Sequence, residues 1–163
     1  MTIVGLTGGI ASGKTTIINL LKKKKAHVHD SDAVVNKLYS KPTIKLIKYL
    51  TKINLKNSIK GKKINKKIIR DEIFYNQKKR KLLEKYIHWE VKKSRASFLK
   101  KHKQKKTKIV FLDIPLLFEN KLEKICDSTI LFYAPIKTRK KRAIRRNGMQ
   151  KKIFAKIIKS QLS

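Results

Sequence analysis

Leu6-Thr7-Gly8-Gly9-Ile10-Ala11-Ser12-Gly13-Lys14-Thr15-Thr16 is the stretch whose reading decides the fold. Before it, Thr2-Ile3-Val4-Gly5-Leu6-Thr7 is a short apolar, β-branched run, the pattern of a buried parallel strand. After it, Ile17, Ile18, Leu20 and Leu21 fall at helical spacing, and Lys22 to Lys25 put cations near the end where the helix dipole favours them. Between the two, Gly8 and Gly13 bracket four residues and lead into Lys14 and Thr15, the spacing of a phosphate-binding loop. Glycines are needed there because successive backbone N–H groups must close around phosphate oxygens with no Cβ in the way. Gly9, Ile10, Ala11, Ser12, Gly13, Lys14, Thr15 and Thr16 are therefore the candidate nucleotide contacts. Lys14 is expected to reach the β- and γ-phosphates, the Thr15 hydroxyl to ligate Mg²⁺, and the helix N-terminus to face the anion.

Working outward, His27-Val28-His29 leads to Asp30-Ser31-Asp32, read as a second short strand ending in two carboxylates. Ligands of open parallel sheets bind outside the carboxyl ends of the strands, so these carboxylates are placed to meet one. One of them can take a proton from an attacking hydroxyl. Either Asp30 or Ser31 also suits the cap of a helix beginning near Ala33, leaving Asp32 to do the chemistry. Ile109-Val110-Phe111-Leu112-Asp113-Ile114-Pro115 is the second strong strand, and Asp113 closes it. That is where the metal-side carboxylate of such nucleotide-binding sheets sits, and Asp113 is expected on Mg²⁺, the alternative being a simple turn cap. Ser128 to Pro135 reads as another strand of the same kind.

Residues 41 to 108 carry apolar residues at helical intervals and lack strong strand signals, with Asn57 to Asn65 as a loop between helices. Lys137 to Arg146 and Gln150 to Leu162 read as two more helices. Arg139, Arg142, Arg145 and Arg146 form the one arginine cluster, and Arg142 and Arg146 share a helix face. A mobile lid that closes guanidinium groups on a triphosphate has this look, and so does a solvated basic helix. Strands alternating with helices predict an α/β fold with a parallel sheet, a helical insertion and a basic lid helix. The expected layout is a single domain over 1–163, with residues 1–37 opening the core, 38–108 the insertion, 109–135 the core strands and 136–156 the lid.

Composition narrows the class. The formal charge is +34, from 44 Lys and Arg against 10 Asp and Glu in 163 residues. A basic surface that binds nucleic acid is one reading. The lysines, however, run through the whole chain with no stripe and no aromatic platform among them, so no specific nucleic acid is expected. One cysteine, Cys126, excludes an internal disulfide and fits a reducing compartment. No apolar run approaches the roughly 20 residues that span a bilayer, and no leader pattern opens the chain. A cytoplasmic protein without a membrane partner is the expectation.

Taken together, Leu6 to Thr16, Asp30-Ser31-Asp32 and Ile114-Pro115-Leu116-Leu117-Phe118-Glu119 resemble the dephospho-coenzyme A kinases. Ile69-Arg70-Asp71-Glu72-Ile73-Phe74, and Leu83-Glu84 followed by His88, look like the same family's helical insertion. The resemblance implies transfer of the ATP γ-phosphate, with Mg²⁺, to the ribose 3′-hydroxyl of dephospho-coenzyme A, the last step of coenzyme A biosynthesis. By position it makes Asp32 the base, Lys14, Arg142 and Arg146 the cations of the transfer, and Arg70 and His88 part of the substrate region. His88-Trp89 stands where the family has His-Pro, and Lys67 where it has Arg. The family also continues past Gln161, so the expectation includes a truncated copy of low activity. The alternatives are a P-loop kinase for another small acceptor and a non-catalytic basic protein that binds nucleic acid.

Overall fold

The computed structural model describes residues 1–61, 63–145 and 148–161. They form two compact units: Met1–Asp30 with Leu99–Ser163, and Ser31–Phe98. The first holds a four-stranded, wholly parallel sheet. Its strands are β1 (Thr2–Gly8), β2 (Val28–Asp30), β5 (Ile109–Asp113) and β6 (Ser128–Phe132), in the order β2-β5-β1-β6. The α/β class expected from the sequence is the one found.

Continuous apolar runs made β1 and β5 read as inner strands, and they are. Leu6, Val110 and Leu112 are fully buried, each contributing about 1.5–3 kcal/mol on removal from water. On one face, Ile18 of helix α1 (Lys14–Lys23) packs with Val4 and Leu6. On the other, Leu117 comes so close that a Cβ at Gly5 would lie 2.6 Å from it and 2.8 Å from the Cys126 sulfur. Gly5 is therefore a close-approach glycine, and Cys126 fills space against it. Asp127 ties down the start of the central strand, taking the Ile3 N–H on its carboxylate at 2.7 Å while its own N–H donates to the Ile3 carbonyl.

The second unit contains α2 (Ser31–Ser40), α3 (Ile44–Lys52), α4 (Lys66–Phe74) and most of α5 (Gln77–Gln104). Leu46, Leu50, Ile53, Leu55, Ile64, Ile69 and Leu83 are its core. Thr43 caps α3 by accepting from the Leu46 N–H, and Asn65 caps α4 by accepting from Lys67 and Ile68. Between them, the expected loop contains a small antiparallel hairpin, β3 (Ile59–Lys60) with β4 (Lys63–Ile64), and Gly61 at its turn has φ +56°. Two-residue strands are too short to show a period of two, which is why the sequence reads as loop there. After the first unit's sheet, α6 (Ile136–Ile144) and α7 (Lys151–Ser160) follow, the two helices expected from the basic C-terminal third.

Candidate active site

The loop between β1 and α1 lies at the carboxyl end of the central strand. Gly9 to Ser12 form a turn closed by the Ser12 N–H on the Gly9 carbonyl, at 3.1 Å. Gly13 then opens α1 in a left-handed conformation, φ +104°, which glycine adopts without penalty. Ala11 is also left-handed, φ +60°, and this is costly. A residue with a Cβ loses about 1–2 kcal/mol there, so the rest of the loop's surroundings must hold it. Gly8 is constrained differently, since a Cβ on it would meet the Phe132 carbonyl oxygen at 2.6 Å and the Ser12 Oγ at 2.8 Å.

Lys14, in the first turn of α1, makes an ion pair with Asp113, at the end of β5. Both side chains are nearly out of water, 12% and 5% exposed. The register explains the meeting, because Asp113 pairs with Leu6 across β1 and β5, just before the glycine loop begins. One strand further out, Asp30 lies in register with Asp113 and is paired with Lys22 at 2.6 Å. Thr15 and Thr16 follow Lys14 on exposed positions of α1. The Ser12 Oγ is buried and has no hydrogen-bond partner among the described residues.

Arg142, on α6, is brought to the loop, its Nη1 lying 3.4 Å from the Ser12 carbonyl oxygen. A cavity of about 490 Å³ opens beside it, lined by Ala11, Ser12, Gly13, Thr16, Ile17, Phe132 and Arg142. It combines a helix N-terminus with an apolar wall and a guanidinium, a mixture chemically suited to a phosphorylated ring compound. Two side chains outside the predicted site residues also reach the loop. Arg139 donates from Nε to the Ile10 carbonyl at 2.9 Å, and Gln161 accepts the Ile10 N–H at 3.1 Å. For Arg139 the arginine cluster was the available signal; for Gln161, after a Lys-rich helix, there was none.

Asp32, Arg70 and His88 belong to the second unit. Asp32 sits in the first turn of α2, immediately after Ser31 starts that helix, and is exposed. Arg70 on α4 and His88 on α5 are exposed as well. Arg146 falls outside the described residues.

A family model for dephospho-CoA kinase matches residues 2–163. The chain belongs to the dephospho-CoA kinase family. The match spans both compact units, so Ser31–Phe98 is part of the family's domain rather than an addition to it. A protein named dephospho-CoA kinase from Bartonella henselae is 37% identical over 164 residues, covering 100% of this chain and 82% of that one. Another of that name, from Fusobacterium nucleatum, is 35% identical over 162 residues, 99% of this chain and 81% of its own. Among solved structures, TT1252 from Thermus thermophilus superposes with a TM-score of 0.73 at 28% identity, over 99% of this chain and 80% of that chain. A dephospho-CoA kinase from Campylobacter jejuni gives 0.65 at 28%, over 98% and 79%. Dephospho-CoA kinases are ATP-dependent enzymes acting on a small molecule, and among the described residues no helix is long and apolar enough to cross a membrane.

Proposed function

We propose that this chain is a dephospho-CoA kinase that transfers the γ-phosphoryl group of ATP to the ribose 3′-hydroxyl of dephospho-CoA, giving CoA and ADP. The family match over residues 2–163 carries the reading. The loop chemistry agrees with it. Backbone N–H groups of the loop after Ile10, up to the start of α1, cradle phosphate oxygens at the helix N-terminus. The Lys14 ammonium exchanges its Asp113 partner for the β- and γ-phosphates, and Arg142 adds a second cation at the loop as charge moves to the leaving oxygen. Arg146 is assigned the same task from the sequence.

Asp32 is the proposed base. Its carboxylate takes the proton of the 3′-hydroxyl as the new O–P bond forms and the bond from the γ-phosphorus to the ADP oxygen breaks. Arg70 and His88 are proposed to hold the acceptor. A divalent cation fits this donor set: the buried Asp113 carboxylate and the Thr15 hydroxyl are hard oxygen ligands of the kind Mg²⁺ takes. A cation held by these residues would supply positive charge to offset that of the phosphate oxygens. The proposed compartment is the cytoplasm.

The deciding experiment is a coupled assay for ADP release with ATP and dephospho-CoA. ADP formed only when dephospho-CoA is present, with CoA as its co-product, is the expected result. ADP release that responds equally to other hydroxyl acceptors, and makes no CoA, would move the assignment to a kinase of another small molecule.

A further inference from the structure

Ala11 is a left-handed, non-glycine residue of the phosphate loop, and two polar side chains from distant parts of the sequence converge on the peptide just before it. The Gln161 carbonyl oxygen accepts both the Ile10 N–H at 3.1 Å and the Arg139 Nη2–H at 3.2 Å. Arg139 uses its Nε–H on the Ile10 carbonyl at 2.9 Å. Ile10 is thus gripped at both its N–H and its C=O by two side chains that also bond each other. The guanidinium lies directly on Gly9, where a Cβ would come within 2.2 Å of Nη2. A Cβ at Gly9 would therefore displace the guanidinium, the movable end of a long side chain, from its bonds to Ile10 and Gln161. Beneath this grip, Ala11 is buried against Ala143 of α6 and Phe154 of α7.

We infer that Arg139 and Gln161 are positioning residues that latch the phosphate loop to the lid helices. The inference rests on the reading that this loop binds the ATP phosphates. The physical reasoning is that the turn from Gly9 to Ser12, with Ala11 in the left-handed region, is not the conformation a free chain would choose there. The latch supplies two charge-assisted hydrogen bonds and one neutral one to hold it. It also has a consequence for the donor set. The Ile10 N–H is committed to Gln161, so the phosphate cradle falls to later amides of the loop and to the Lys14 ammonium. Because Arg139 and Arg142 lie one helical turn apart on α6 and both contact loop carbonyls, the lid and the loop are coupled.

Three variants test the latch. Arg139→Ala removes both guanidinium bonds. Gln161→Met keeps length and apolar volume but removes the shared acceptor. Arg139→Lys keeps the charge but loses the fork. Each is expected to raise the KM for ATP about tenfold, to leave the KM for dephospho-CoA within about twofold, and to change the thermal midpoint little. Ala11→Gly, which removes the left-handed penalty, is expected to recover part of the ATP KM when combined with Gln161→Met. Unchanged ATP KM in both Arg139→Ala and Gln161→Met, or equal rises for the two substrates, overturns the latch. Hydrogen exchange at the Ile10 amide in the nucleotide-free protein answers the same question without turnover. Gln161→Met should speed it about tenfold or more, and an unchanged rate overturns the latch. A parent chain that makes no ADP, yet whose Ile10 exchange depends on Gln161, would support the latch and count against the kinase reading.

Discussion

At the scale of single residues the Lys14–Asp113 pair bears on both stability and the proposed chemistry. Each side chain is the other's compensation for leaving water, and removing one strands a charge in a dry place. Breaking such a pair costs about 3–5 kcal/mol, while replacing both members by apolar residues is often neutral. Lys14→Ala should therefore lower the thermal midpoint and abolish turnover. Lys14→Met with Asp113→Leu should restore the midpoint and not the turnover. Calorimetry with the ADP assay checks this, and a stable Lys14→Ala protein with normal turnover would remove Lys14 from the mechanism. Asp32 poses a cleaner question, because it is exposed at a helix start and contributes little to packing. Asp32→Asn keeps its shape and loses the proton acceptor, so kcat should fall by about 10²-fold or more while ATP affinity holds. If Asp30→Asn is the damaging change and Asp32→Asn is harmless, the base is the other carboxylate.

At the scale of elements, the end of α5 meets the sheet through two histidines. The His102 ring lies 4.4 Å from that of His27, and its Nδ1 is 3.1 Å from the Thr107 hydroxyl oxygen. Burial, and then the charges of His27, Lys101 and Lys105, push the His102 imidazole below its ordinary value of 6.5. The folded state thus resists a proton that the unfolded chain accepts, and the unfolded chain binds more protons as pH falls below about 6.5. Stability should decline from there toward the depressed folded value and level off below it. Thermal unfolding across that range should show the decline, and His102→Asn should flatten it. An unaltered pH profile in His102→Asn would assign the acid sensitivity to other groups. The caps of α3 and α4 act at this scale too. Asn65 satisfies two N–H groups at the start of α4, and Asn65→Ala should cost about 1 kcal/mol of stability, seen as a lower midpoint in urea.

At the scale of the whole molecule, the formal charge of +34 is the dominant fact. Spread over a chain of this length, it repels itself, and salt screens that repulsion within about 10 Å at 0.1 M. The thermal midpoint should therefore rise with added salt, opposite to what a fold held by surface ion pairs would show. The same charge should attract duplex DNA weakly and without sequence preference, with binding lost steeply between low and physiological salt. Titration of labelled duplexes at several salt concentrations tests this. Tight, sequence-selective binding at physiological salt would make the lysines a functional surface and revive the nucleic-acid reading.

Some of this was readable directly from the residues, for a local reason. A glycine loop between an apolar run and a helix is specified by neighbours in sequence, so Gly8 to Thr16 pointed to the α/β class and to the proposed anion site. Asp113 and the arginine cluster were legible in the same way, as a strand end and as a helix face. The family's shared pattern over Asp30 to Asp32 and Pro115 to Glu119 added the reaction. Other features exist only once the chain is folded. That Asp113 answers Lys14 depends on the register between β1 and β5, which brings residues 99 positions apart to one ion pair. The two-residue strands β3 and β4 were too short to carry any pattern. Most of all, Arg139 and Gln161 converge on Ile10 from 129 and 151 positions away. The arginine cluster marked Arg139 only as a basic helix residue and nothing marked Gln161, because a hydrogen bond to a backbone peptide is indifferent to the side chain of the residue it grips. The sequence by itself determined where the glycine loop lies and which ligand chemistry is proposed for it; the tertiary structure decided what holds that loop in shape.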